Sequence, residues 1–264
     1  MSRRAVALLL LLLLTACADP EDRPTTASVA GSAATVEVFG SLYEVMHEGV
    51  TGNVVSLERW AGVRDLYAVG ALEGLRGEVT VVGGVAVASY PEGQGVRTAR
   101  GLEVAREEAC LLVAARVPVW RRDAVDRPIG SLDDLTALLA ERAAKDGLDP
   151  EEPFPFLLVG PVQRLELHVI DGARLPGGAP DPATVHEAHL AASVRRTYET
   201  GETTLVGFYS KKHEAVFTQV GERIHVHALV PGDQKPEVTG HVDGLKLGKG
   251  AILSLPLKPT AERD

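Results

Sequence analysis

The chain has 264 residues, with 27 Lys and Arg against 36 Asp and Glu and a formal net charge of −9. That length admits one large or two small domains with ample core, and 45% hydrophobic with 24% charged residues excludes wholesale disorder and fibrous repeats. The acidic balance without a Lys/Arg-rich run argues against nucleic acid as a partner, and cysteine only at Cys17 and Cys110 excludes a disulfide scaffold or a thiolate zinc cluster.

Arg3 and Arg4 precede the apolar run Ala5–Leu14, which is too short to span a bilayer and has the shape of a secretion signal. It ends in Leu14-Thr15-Ala16-Cys17, which resembles a bacterial lipobox. Such a motif implies removal of residues 1–16 and lipid attachment to Cys17, placing the chain in the cell envelope, anchored to a membrane outside the cytoplasm. Residues 17–35 are rich in Ala, Pro, Ser and Thr without apolar periodicity and read as a flexible tether.

Folded structure is expected from residue 36 onward, in two sheet-bearing halves, 36–150 and 151–264. Ser41-Leu42-Tyr43-Glu44 has the form of a capping box for a short helix that Gly49 would stop, and Ser56 is placed to cap a second through Trp60. Val79–Val82 and Val85–Ala88 flank Gly83-Gly84, a two-residue hairpin signal, and residues 111–119 read as a buried strand. Cys110, beside that run, reads as a small buried hydrophobe. Ser131 opens the clearest helix, with Leu135, Leu138 and Leu139 on one face and Gly147 as its stop. The acidic, Pro-rich stretch Asp149–Pro155 is the candidate boundary between halves.

Beyond it, Phe156–Val159, Arg164–Ile170, Val194–Tyr198 and Thr203–Tyr209 suit strands, Arg174–Thr184 is a loop by composition, and Arg223–Val230 pairs with Val238–Leu247 across Pro231-Gly232-Asp233. The fold class is therefore α+β, mainly antiparallel, with a few short helices.

His225-Val226-His227 puts two imidazoles on one face of a strand, because strand side chains alternate. A turn centred near Gln234 sets His227 opposite His241 on the returning strand. Imidazoles converging from two paired strands leave an open coordination position, as a catalytic zinc site requires; from the residues alone they read equally as ordinary polar side chains on an exposed strand face. The other histidines carry weaker signals: His186 and His189 read as solvent-exposed, His168 as a strand-surface residue, and His47 and His213 have no companions nearby. Glu78, entering an apolar strand, needs a cation or metal as partner if buried, but by spacing alone it reads as a strand-end glutamate in water.

With those residues in place the chain resembles the α-acetolactate decarboxylase family. Phe39–Gly49 is similar to that family's opening helix, and Val69–Glu78 (VGALEGLRGE) to its G-T-F-x-G-L-x-G-E stretch, with Val85–Ser89 following as the second hairpin strand. Thr204–Ser210 (TLVGFYS) resembles its T-L-V-G-F segment; His225-Val226-His227 and Gly240-His241-Val242 resemble its H-x-H and G-H-V zinc ligands. The likeness spans residues 36 to 250 in the family's order.

The resemblance implies that His225, His227 and His241 bind zinc, that Glu78 serves as ligand or proton relay, and that the chain forms a homodimer. It implies decarboxylation of 2-acetolactate, or a related 2-hydroxy-3-keto acid, to acetoin and CO2. Three departures accompany it, the first being a gap between His227 and His241 slightly longer than the family's, which a longer hairpin loop could absorb. The family's active-site arginine falls on Asp171 without gaps and on Arg174 only with a short insertion, so Arg174 is the candidate. The family's glutamate beyond the last histidine has only Glu262, in a polar tail, as a counterpart. An alternative reading is therefore a lipid-anchored zinc-binding relative that has lost the decarboxylase chemistry and serves in binding or at the surface. Because Glu78 and the hairpin lie in different halves, the site is expected where the halves meet.

Overall fold

A computed structural model describes residues 34–176, 184–232 and 237–257; the stretches read from the sequence as a signal, as a lipobox with Cys17 and, nearly all of it, as a tether lie outside them. No helix among the described residues is long and apolar enough to cross a membrane. The strands are β1 (Val36–Phe39), β2 (Val55–Ser56), β3 (Leu66–Leu72), β4 (Glu78–Val82), β5 (Val85–Glu92), β6 (Gly95–Arg100), β7 (Glu108–Arg116) and β8 (Trp120–Ala124). Helix α1 (Leu132–Lys145), β9 (Phe154–Val169), helix α2 (Val185–Ala192), β10 (Val194–Tyr198), β11 (Glu202–Tyr209), β12 (Ile224–Val230), β13 (Val238–Leu247) and β14 (Ile252–Pro256) follow.

Two antiparallel sheets result. The first runs β1-β7-β3-β4-β5-β6 with β2 also on β7; the second runs β11-β12-β13-β9-β14-β8 with β10 also on β9. In the second, β11 pairs with β9 as well, so β9, β11, β12 and β13 close into a ring of pairings. The α+β expectation thus holds, with mainly antiparallel sheets and few helices. The change of sheet comes before β8, since β8 pairs with β14 and the α1 leucines pack in the second core. It therefore precedes the acidic stretch Asp149–Pro155, where the boundary was expected.

Local expectations are met where the chemistry is local. Gly83 and Gly84 both take positive φ, at +57° and +79°, closing the β4–β5 hairpin with Val82 opposite Val85. Ser131 caps α1 by accepting from Asp134 N at 3.1 Å, and Leu135, Leu138 and Leu139 are buried. The capping box at Ser41 does not form: the segment is a single turn over Glu44–Glu48, and the Ser41 hydroxyl donates to the Ala215 carbonyl at 3.4 Å. The expected strands at Phe156–Val159 and Arg164–Ile170 are one continuous strand, β9, whose partner on one edge changes from β11 to β10 just past Pro161. Cys110 is buried among apolar side chains, with its thiol donating toward the Ala71 and Leu72 carbonyls and its pKa pushed up to about 12 by burial.

Strand alternation decides what faces what. In β4, Val79 and Val81 enter the core of the first sheet, so Glu78 and Thr80 point the other way. In β12, Ile224, Val226, Ala228 and Val230 enter the core shared with α1, which turns His225, His227 and Leu229 toward the first sheet. Val69, Val87 and Val113 of the first sheet meet Val206, Phe208 and Leu229 of the second in a further apolar cluster that joins the two. Each such buried side chain contributes about 1.5–3 kcal/mol relative to exposure, which makes this seam a rigid platform.

Candidate metal centre

His225, His227 and His241 converge at the seam, with one ligand nitrogen from each lying within 4.8 Å of the others. The hairpin register is the one expected, His227 directly opposite His241. Glu78 reaches the cluster from β4, its Oε2 3.6 Å from His227 Nε2. The site therefore lies where the sheets meet, built from both.

Each side chain is held. Thr80 Oγ1 sits 3.1 Å from His227 Nδ1 and 2.6 Å from Thr239 Oγ1, while Thr239 N donates to Ser89 Oγ at 2.9 Å. This buried chain of hydroxyls fixes the His227 ring and turns Nε2 toward the cluster. Glu78 Oε1 accepts from the Ile170 amide at 3.4 Å. His227 Nε2 and His225 Nδ1 are buried without a hydrogen-bond partner. Unpaired buried nitrogens are costly, and a divalent metal is the kind of partner that would satisfy them.

The electrostatics suit the same occupant. Burial, reinforced by neighbouring imidazoles, holds His227 and His241 well below the ordinary histidine value, and burial lowers His225 to about 4 against the nearby Phe217 carbonyl. All three are thus neutral near pH 7, the state in which imidazole donates a lone pair. Burial raises Glu78 to about 7, although the charge of His168 and the Ile170 amide oppose it. The residues present fit a divalent metal held by nitrogen donors.

The cluster opens on a pocket whose space, open solvent at the mouth included, is about 660 Å³. Its walls are mainly apolar, with Leu42, Val45 and Met46 from the first turn, Leu190 from α2, and Ile170 and Phe217 among them. Three histidines that the sequence placed in solvent or on a strand surface also line it. His186 and His189 project from α2, because the segment after the loop is a helix and puts both on the cavity side; His186 remains exposed at the mouth. His168, mostly buried, lines the cavity because its face of β9 is covered by the first sheet; its Nδ1 donates to Asp243 Oδ1 at 2.7 Å. Burial alone would lower His168, but the hydrogen bond and charge of Asp243, with that of Glu78, hold it above the ordinary value.

Arg174 does not join this group. Its Nε pairs with Asp171 Oδ2 at 2.9 Å and its Nη2 donates to the Gly93 carbonyl, so the guanidinium clips the β5–β6 turn and is absent from the described cavity lining. The physical reason is local: Asp171 accepts from Ala173 N and starts a tight turn over Gly172–Arg174, which brings Arg174 back onto its own aspartate. Arg196 clips the same turn through the Gln94 carbonyl at 2.7 Å.

No sequence-family model matches the chain, and no curated protein matches it. Solved structures do match. A Staphylococcus aureus protein of unknown function, described as similar to α-acetolactate decarboxylase, shares 15% identity over 83% of each chain, with a TM-score of 0.61. The α-acetolactate decarboxylase of Bacillus subtilis strain 168 shares 13% identity over 85% of this chain and 89% of its own, with a TM-score of 0.61. That of Bacillus subtilis subspecies spizizenii shares 13% over 84% and 85%, with a TM-score of 0.63.

The chain has the acetolactate decarboxylase fold. At these identities the likeness concerns the fold. Within the acetolactate decarboxylase fold of this chain, the imidazole cluster and Glu78 fall on the seam between the sheets, and the elements carrying them are the motifs through which the sequence resembles that family.

Proposed function

We propose that the protein is a zinc-dependent decarboxylase that converts 2-acetolactate, or a related 2-hydroxy-3-keto acid, to acetoin and CO2. The observation that carries this reading is the buried Glu78 carboxyl facing His227 at 3.6 Å inside a cluster of neutral imidazoles. A metal held by His225, His227 and His241 would supply Lewis-acid charge to substrate oxygens.

In the reaction the bond between the carboxylate carbon and C2 breaks, CO2 leaves, and the electron pair spreads onto the C3 ketone oxygen as an enediolate. A proton must then reach C2 to give acetoin. Glu78, whose carboxyl burial pushes up in the metal-free chain, is the group placed to hold that proton at a carboxyl oxygen and deliver it. The Ile170 amide fixes the carboxyl, so delivery comes from one direction. The apolar walls exclude water and take up the alkyl groups of a small acid. Lipid attachment at Cys17, with an envelope location, is part of the proposal and rests on the lipobox.

The engagement of Arg174 by Asp171 and Gly93 favours a second reading, a metal-binding relative without decarboxylase chemistry, because a cationic contact to the substrate carboxylate is then missing from that position. Metal analysis of the purified mature chain with an acetoin assay on racemic acetolactate separates the two. Zinc with acetoin supports the decarboxylase, zinc without acetoin supports the second reading, and neither sinks both.

A further inference from the structure

We propose that His168, held by Asp243, is a further nitrogen donor of the metal centre, which would make the set His168, His225, His227 and His241. This rests on the reading of the cluster as a metal site.

The strands place it there. His168 of β9 is the direct cross-strand partner of His241, which is the partner of His227. Residues directly opposed on antiparallel strands project from the same face, so the three imidazoles form one row across β9, β13 and β12. The His168 and His241 ring centroids are 5.1 Å apart. The spacings within the converged group are 5.0, 5.2 and 5.8 Å. His168 thus stands as close to His241 as the members of the trio stand to one another, beside the group of three rather than within it.

Its orientation is built by an irregularity in the sheet. Between Val242 and Gly244 the β13–β9 register shifts, making Asp243 an extra residue in the ladder. Bulges re-aim side chains next to functional sites. Here the bulge residue accepts from His168 Nδ1 at 2.7 Å, which leaves Nε2 for the cavity that His168 lines. A carboxylate on the far nitrogen is the arrangement that fixes a ligating histidine's ring and raises its basicity. Metal binding displaces any proton that Nε2 carries in the metal-free protein.

The test is titration of the metal-free mature chain with Co2+, read by d–d absorption and by dissociation constant. In H168Q, Co2+ uptake persists through the remaining imidazoles, while affinity falls by at least the roughly 10- to 100-fold that loss of an orienting partner costs and the absorption changes as a nitrogen donor is lost. D243N weakens binding in the same direction by a smaller factor. H186Q, which changes a cavity histidine outside the row, leaves the spectrum as in the wild type. An H168Q protein with wild-type affinity and spectrum overturns the assignment, as does an H186Q effect equal to that of H168Q. A wild-type chain that takes up no metal overturns the parent reading instead.

Discussion

Glu78 Oε2 and His227 Nε2 stand 3.6 Å apart at the seam between the sheets, both side chains buried. They come from β4 and β12, so neither half alone can form the pair. The contact is longer than a hydrogen bond, and burial pushes the carboxyl up and the imidazole down. Near pH 7 the metal-free imidazole is therefore neutral and the carboxyl about half protonated, two groups kept out of water with little mutual charge compensation. A fold that keeps such groups together is arranged for a charge that arrives from outside.

His227 lies at the centre of that arrangement, paired with His241 and facing Glu78. His227→Ala is expected to abolish stoichiometric metal binding, measured by elemental analysis after dialysis. Stoichiometric zinc in the purified variant would refute the metal-site assignment.

Thr80 acts through His227 by fixing Nδ1 at 3.1 Å. Thr80→Val should lower metal affinity about 10- to 100-fold, as loss of an orienting partner typically does, and cost roughly 1–2 kcal/mol of stability because Thr239 also loses its hydroxyl partner. Thr80→Ser keeps the hydroxyl and should restore affinity. Equal affinities for the Val and Ser variants, measured by competition with a chelator, would show that the hydroxyl does not position the ring.

Parts of the site were legible because local rules govern them. The register of His227 against His241 follows from turn residues Pro231-Gly232-Asp233 and strand alternation, both properties of a short segment. His168 was not legible. Alternation says only that it opposes Leu165, Leu167 and Val169, and whether that face meets solvent or another sheet depends on packing between distant segments. The bulge at Asp243 is marked in the sequence only by Asp243-Gly244 inside the strand run. Gly160-Pro161 looks like a strand break, yet Pro161 lies at the end of the β11 pairing, opposite Glu202, where the ladder can dispense with its missing N–H. Arg174 was assigned by allowing an insertion, and the turn that Asp171 nucleates then carries it elsewhere.

That turn makes Arg174 testable in isolation. Its contacts are partly exposed, to Asp171 and the Gly93 carbonyl. Arg174→Met should cost less than about 1 kcal/mol in urea unfolding and leave zinc stoichiometry and acetoin formation unchanged. If acetoin formation collapses while zinc is retained, Arg174 contacts the substrate after all.

The titration of Glu78 gives a prediction with a definite sign. Its folded value of about 7 lies above the ordinary 4.5, so between these the folded chain keeps a proton that the unfolded chain releases. Metal-free stability contributed by this group is therefore greatest at low pH and is lost as pH rises from the unfolded value to the folded one. The loss is at most about 3 kcal/mol across the window. His168, raised in part by Glu78, acts in the same sense as Glu78, whereas the three cluster histidines act oppositely, since their depressed values remove stability as pH falls below 6.5. Their contribution is shared by Glu78→Gln and largely cancels when the variant is compared with the wild type. In the presence of EDTA, the stability of Glu78→Gln relative to wild type should rise by up to about 3 kcal/mol from about pH 5 to about pH 7.5. Urea unfolding at both pH values measures it. A difference that stays flat would mean that Glu78 ionises in the metal-free folded protein as readily as in water, and that burial does not raise its carboxyl.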